Sequence, residues 1–159
     1  MGVKREADGK PVVQVEAGWK PAVPVGEDDL LTAFSTAVFL GPELELAEWC
    51  AGVFWVITAH NPGGNVRAAA ANQADDVRMQ AALEGLERLP LAGCSPDLSH
   101  REDGWAVRFS SREAAVDLAR RFGQRAVYEV RGGELWLIDL EGKWPVHPVG
   151  GLLARLRGK

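Results

Sequence analysis

The segment Thr58-Ala59-His60-Asn61-Pro62-Gly63-Gly64-Asn65 gathers the side chains best suited to chemistry. Thr58 brings a hydroxyl, His60 a titratable ring, and Asn61 an amide that both donates and accepts hydrogen bonds. Together they can hold one small polar or anionic ligand. The segment leads towards a helix start, where unpaired N–H groups and the helix dipole favour an anion. Two amides at a distance join the set: Asn72, and Gln124 just after a helix-ending glycine. Thr58, His60, Asn61, Asn72 and Gln124 are therefore the candidate ligand-binding residues. Each also has an ordinary structural use. Asn61 can bond its own backbone in a turn shaped by Pro62-Gly63-Gly64. Asn72, with Asp75 three residues on, matches an N-cap and its acidic partner. Gln124 can satisfy helix carbonyls.

Other chemistries have weaker signatures. His60 can serve as the general base of a small hydrolase or transferase, with nearby amides steadying a developing charge. No carboxylate lies close to it in sequence, so Glu102 or Asp103 would have to arrive through the fold. Arg78, Arg121 and Arg125 are further cations for an anion. Nothing matches the phosphate-binding pattern GxxxxGK[ST]. His60, His100, His147, Cys50 and Cys94 are scattered without HxH, HExxH or CxxC spacing, so neither a metal nor a cofactor is expected. Catalytic residues stay unassigned.

The elements that must position these groups follow from periodicity and punctuation. Residues 53–58 are apolar on both alternate sets of positions, which predicts a strand buried on both faces in the middle of a sheet. After the polar loop, Met79, Leu83 and Leu86 form one stripe of a helix begun by Asn72 and ended by Pro90. A short strand is expected over 91–94 and a polar loop over 95–103. Residues 105–109 alternate, with Trp105, Val107 and Phe109 on the buried face. Ser110 and Glu113 predict a capping box for a second helix, striped by Ala115, Leu118, Ala119 and Phe122 and closed by Gly123. Residues 126–131 and 134–140 flank Gly132-Gly133 and read as a hairpin pairing Arg131 with Glu134 and Val130 with Leu135. Earlier in the chain, 30–34 suits a short helix, 36–40 a strand, and 11–16 an edge strand, while the acidic stretch from Glu43 to Glu48 fits a loop or a short helix. The six tryptophans are expected mostly to pack the core, with Trp49 and Trp144 left as surface or ligand contacts.

The expected fold class is α+β, in two layers, with two main helices on a mostly antiparallel or mixed sheet of five to six strands. A length of 159 residues with 47% hydrophobic content fits one domain over 29–143, preceded by an arm over 1–28 and followed by a tail over 144–159. The tail carries Leu152, Leu153 and Leu156 and is expected to dock, or else to engage a protein partner. A net charge of −4 argues against double-stranded nucleic acid, whose phosphates demand many Lys and Arg contacts. No apolar run is long enough to span a membrane, and no secretory pattern opens the chain, so a cytoplasmic setting with reduced cysteines is expected.

The run Val56-Ile57-Thr58-Ala59-His60-Asn61-Pro62, read with Asn72 and with residues 119–127, resembles a bacterial family known as domain of unknown function 3293. The resemblance covers roughly residues 30 to 140. It implies a small bacterial domain with no activity to carry over, and a Glu-containing segment before the third major strand, matched here by Glu102. The functional expectation is a small-ligand or nucleotide-like binding domain with its pocket at the end of the central strand. The alternatives are a protein-interaction module and the His60 hydrolase or transferase.

Overall fold

A computed structural model describes residues 26–157. The arm, with the edge strand expected over 11–16, lies outside the described residues. In chain order the elements are α1 (Glu27–Thr36), β1 (Val38–Leu40), α2 (Glu43–Trp49), β2 (Val53–Thr58), α3 (Ala69–Ala82), β3 (Arg88–Pro90), β4 (Ala92–Cys94), β5 (Arg101–Glu102), β6 (Gly104–Val107), α4 (Arg112–Arg121), β7 (Ala126–Arg131), β8 (Glu134–Asp139) and β9 (His147–Gly151). Two antiparallel sheets result. The larger runs β3-β6-β2-β7-β8-β9 and the smaller β1-β4-β5.

β2 lies between β6 and β7, the position its double apolar pattern requires. Phe54 and Val56 join one core cluster with Phe39, Leu46, Trp49 and Leu91; Ile57 joins another with Met79, Leu83, Leu118 and Phe122. Each such fully buried side chain contributes about 1.5–3 kcal/mol of hydrophobic stabilisation. α3 and α4 therefore cover one face of the larger sheet, while α2 and β1 cover the other. The class is α+β, and the packing adds a layer to the two that a pair of helices would have made. The physical cause is β2 itself: an all-apolar central strand needs cover on both sides. The β7–β8 hairpin has the expected register, Arg131 opposite Glu134 and Val130 opposite Leu135.

Several local expectations are corrected. α3 begins at Ala69 with Ala68 as N-cap, so Asn72 sits inside the helix rather than capping it. The alanines that precede Asn72 are strong helix formers, and they carry the helix past it. The same helix stops at Ala82, and Pro90 belongs to β3. Ser111 rather than Ser110 caps α4, its hydroxyl accepting from the Ala114 N–H at 3.1 Å. The helix expected over 30–34 starts earlier and runs through Thr36, which shortens the following strand to Val38–Leu40. The polar loop over 95–103 contains β5. Ala106 and Val107 are buried on opposite faces of β6, while Trp105 and Phe109 are only half-buried. Trp49 and Trp144 do core work: Trp49 packs edge-on against Phe54, and Trp144 lies under the Arg125 guanidinium, 4.0 Å from its ring centre. Past residue 144 the chain adds β9 to the sheet edge and buries Leu152.

Two close approaches bring the elements of the candidate site together. A Cβ on Gly104 would meet the Ile57 carbonyl oxygen at 2.6 Å, so only glycine lets β6 begin this close to the end of β2. Gly123, at φ +67°, ends α4 in a Schellman turn: its N–H bonds the Arg120 carbonyl, and that of Gln124 reaches the Ala119 carbonyl. The Gly123 carbonyl in turn accepts from the Gly63 N–H at 2.8 Å, which ties the loop after β2 to the end of α4.

Among the described residues, no helix is long and apolar enough to cross a membrane.

Candidate functional site

β2 ends at Thr58, and the next three residues turn sharply. Asn61 adopts the left-handed region, at φ 47° and ψ 63°. Asparagine tolerates that conformation better than most residues because its short side chain can bond locally. Here the bonds go to Asn72. The Asn61 N–H donates to Asn72 Oδ1 at 2.8 Å, and Asn72 Nδ2 donates back to Asn61 Oδ1 at 2.8 Å. Both residues are buried, at 3% and 7% exposure. The correction to the helix start explains this pairing. A residue inside the first turns of α3 can aim its side chain at the loop, whereas an N-cap would spend it on its own helix.

Other groups complete the network. Asn61 Nδ2 donates to Glu102 Oε2 at 2.7 Å, and the Arg67 N–H donates to Asn61 Oδ1 at 3.1 Å. Arg67 Nε donates to Asn72 Oδ1 at 2.8 Å, and its guanidinium also pairs with Asp75. The hydrogen bond from Arg67 holds the Asp75 carboxyl below the usual aspartate range, with burial opposing. Glu102 Oε2 also faces His100 Nε2 at 3.2 Å, a contact that raises the His100 pKa above its ordinary value against the effect of burial.

Thr58 and Gln124 do a different job. Thr58 Oγ1 donates to the Asp103 carbonyl at 2.6 Å and accepts from the His60 N–H at 3.0 Å. Gln124 Nε2 donates to the His60 carbonyl at 3.0 Å. The His60 main chain is thus gripped on both sides. Its imidazole has no hydrogen-bond partner among the described residues and faces a cleft of about 490 Å³. Asn61, Arg67, Asn72, Gln73, Asp76 and His100 line that cleft too, and Ala69 brings in the start of α3. Of the five residues expected from the sequence, His60, Asn61 and Asn72 line it; Thr58 and Gln124 hold its loop from behind.

The sequence pointed past several residues that matter. His100 and Glu102 are two apart on an extended segment, a spacing that puts both on one face. Asn72, Gln73 and Asp76 share a face of α3 because they follow one another at helical spacing, visible once the helix starts at Ala69. Arg67 carries no such signal. Of the arginines expected as anion contacts, Arg78 pairs with Asp75 and Arg125 is buried against Asp139 and Glu27, while Arg121 is exposed at the end of α4 and does not line the cleft. Cys50 and Cys94 are free thiols. Among the described residues, no group of three or more His, Cys, Asp or Glu side chains is placed to hold a metal ion.

Comparison with known proteins adds one finding. Residues 57–127 match the family model described as a protein of unknown function, DUF3293, so the resemblance to that family holds over this span. The matched stretch contains Thr58, His60, Asn61, Asn72, Glu102 and Gln124, the residues that meet around the loop. No curated protein and no solved structure matches the chain.

Proposed function

We propose that this chain is a cytoplasmic small-ligand binding domain whose site is the cleft at the end of β2. The observation that carries the proposal is the reciprocal Asn61–Asn72 pair. It locks a left-handed turn into a floor, while the His60 imidazole beside it has no hydrogen-bond partner among the described residues. A rigid, internally satisfied floor under an unsatisfied rim is a preorganised receptor, which avoids part of the ordering cost of binding. A polar ligand fits the lining, and nucleotide-like molecules belong among the candidates. In this proposal His60, Asn61 and Asn72 form the contact surface, while Thr58 and Gln124 act as positioning residues.

A thermal-shift screen of nucleotides, amino acids and phosphorylated metabolites tests this. A ligand at a hundred times its Kd adds about 2.7 kcal/mol to the native state. For a chain of this size that corresponds to a rise in melting temperature of about 5–10 °C. His60→Ala should abolish the rise and leave the melting temperature of the free protein nearly unchanged. A library with no stabilising member, or a hit indifferent to His60, overturns the proposal.

One observation favours a second reading, general acid–base chemistry. His100 and Glu102 form an imidazole–carboxylate pair at the cleft, with Glu102 oriented by Asn61. The His60 version lacks such support, since that ring meets neither a carboxylate nor a hydroxyl among the described residues. Turnover of generic ester or phosphoester substrates that disappears in Glu102→Gln is the result this second reading needs. The protein-interaction alternative has less support from the tail, where Leu152 is buried and β9 is paired within the sheet, while Leu153 is 44% exposed.

A further inference from the structure

The cleft below His60 does not end at Asp76. A second hollow of about 710 Å³ opens beyond it and shares Asp76, Arg101 and Asp103 with the first, so the two form one groove. Helical spacing explains the continuity. Ala69, Asn72, Gln73, Asp76 and Gln80 lie on one stripe of α3, which at 1.5 Å per residue runs about 16 Å. Its far half changes character: Leu40, Pro42 and Trp105 make an apolar wall.

The junction carries the charges, and they are unequally matched. Arg67 is paired with Asp75, and Arg101 Nε is held by Asp103 at 2.8 Å. Asp76 has only neutral partners: it accepts from Trp105 Nε1 at 2.9 Å and from Gln80 Nε2 at 2.8 Å. No cation lies within ion-pair distance of it among the described residues. It is half-buried at the border between a polar cleft and an apolar wall. A carboxylate so placed gains from an organic cation, whose charge it meets and whose body covers the wall. An anion would find both arginines engaged and two aspartates opposing it.

We infer that the joined groove takes an organic monocation, its ammonium or guanidinium on Asp76 and its apolar body against Leu40 and Trp105. This rests on the cleft being a binding site and adds the class of ligand.

The indole N–H of Trp105, bonded to Asp76, is a built-in reporter. It is followed in ¹H–¹⁵N spectra of the full chain and assigned by its disappearance in Trp105→Phe. Phenethylamine is the probe, with 2-phenylethanol and phenylacetate as the neutral and anionic counterparts. The amine should shift the Trp105 signal saturably and bind about fivefold tighter than the alcohol, the expected weight of one partly exposed charge pair. Phenylacetate should leave the signal in place. Asp76→Asn keeps an acceptor for the indole and should bring the amine down to the affinity of the alcohol. Equal affinity for amine and alcohol, preference for phenylacetate, an Asp76→Asn variant that binds the amine as wild type does, or no shift by about 10 mM, the range of very weak ligands, each overturns the inference. A metabolite whose binding depends on His60 while amines leave Trp105 unmoved would remove the cation assignment alone. Amine binding through Asp76 with no His60-dependent ligand would keep the cation assignment and confine the site to the apolar half.

Discussion

Two buried polar clusters hold this molecule together at the same end of its central strands, and they are finished differently. At one, the Arg125 side chain is 2% exposed and its guanidinium meets Asp139, Glu27 and the face of Trp144. Asp139, with its side chain wholly buried, also accepts from the backbone N–H groups of Glu141, Lys143 and Trp144. Every strong group there is consumed, and α1, β7, β8 and the turn after β8 are clamped together. At the other, the Asn61–Asn72 pair, Arg67 and Glu102 are just as thoroughly bonded, but their outer edge borders an open cleft where, among the described residues, the His60 ring has no hydrogen-bond partner and the Asp76 carboxylate no cation. Buried polar groups are almost always satisfied, so satisfaction alone marks no site. A satisfied floor below an unsatisfied rim does.

The sharpest way to separate the clusters is to break each one. Arg125→Ala strands a buried carboxylate and should cost about 3–5 kcal/mol in urea unfolding. Any ligand-induced stabilisation should survive it at temperatures where the variant is folded. Asn72→Ala should cost less, about 1–3 kcal/mol, by leaving the Asn61 N–H and Arg67 short of an acceptor. Unlike Arg125→Ala it should abolish ligand binding, because the turn that aims His60 loses its anchor. Identical loss of binding in both variants would mean that the distinction is merely one of stability.

Acid probes the clamp more gently. Burial pushes the Asp139 pKa up, but the hydrogen bonds from Arg125 and from the Glu141 and Trp144 N–H groups outweigh it and bring it to about 2. The hydrogen bond from Arg125 lowers Glu27 in the same way, against burial. A carboxyl whose folded pKa lies below its unfolded value of about 3.9 stabilises the protein fully above that value. The contribution of Asp139, about 2 kcal/mol, should therefore vanish as pH falls from about 4 to about 2. Urea unfolding across that window checks it, and Asp139→Asn should flatten the slope.

The smallest expected effect is at the cleft. Glu102 raises the pKa of His100, so His100 should titrate above its ordinary value in NMR and return towards it in Glu102→Gln. The sign is opposite to that of Asp139. The stabilisation is complete below the unfolded histidine pKa and fades as pH rises through the folded one. Because His100 is about half exposed, it should stay under about 1 kcal/mol.

Much of the frame was legible in the sequence for reasons that can be named. β2 and the β7–β8 hairpin were readable because alternation and a Gly-Gly turn fix both faces and register. The start of α3 was hidden because Ala68 offers no capping side chain, while Asn72 and Asp75 imitate a cap. That one boundary decided how Asn72 was understood. Thr58 and Gln124 both bond the His60 main chain, but the direction each faces depends on the path of residues 59–65, including a left-handed asparagine. Arg67 was invisible for the same reason: nothing in its spacing foretells a loop that folds it back onto Asn72.

The most direct test of the central claim is a map of where a ligand lands. Backbone and side-chain amide resonances are followed while the best ligand from the thermal-shift screen is titrated in. Perturbations should be confined to residues 58–76 and 100–105 and include the side-chain amides of Asn61 and Asn72, with those around Arg125 and Asp139 unmoved. Shifts centred on the clamp, or spread over the surface without the Asn61–Asn72 pair, would contradict the account.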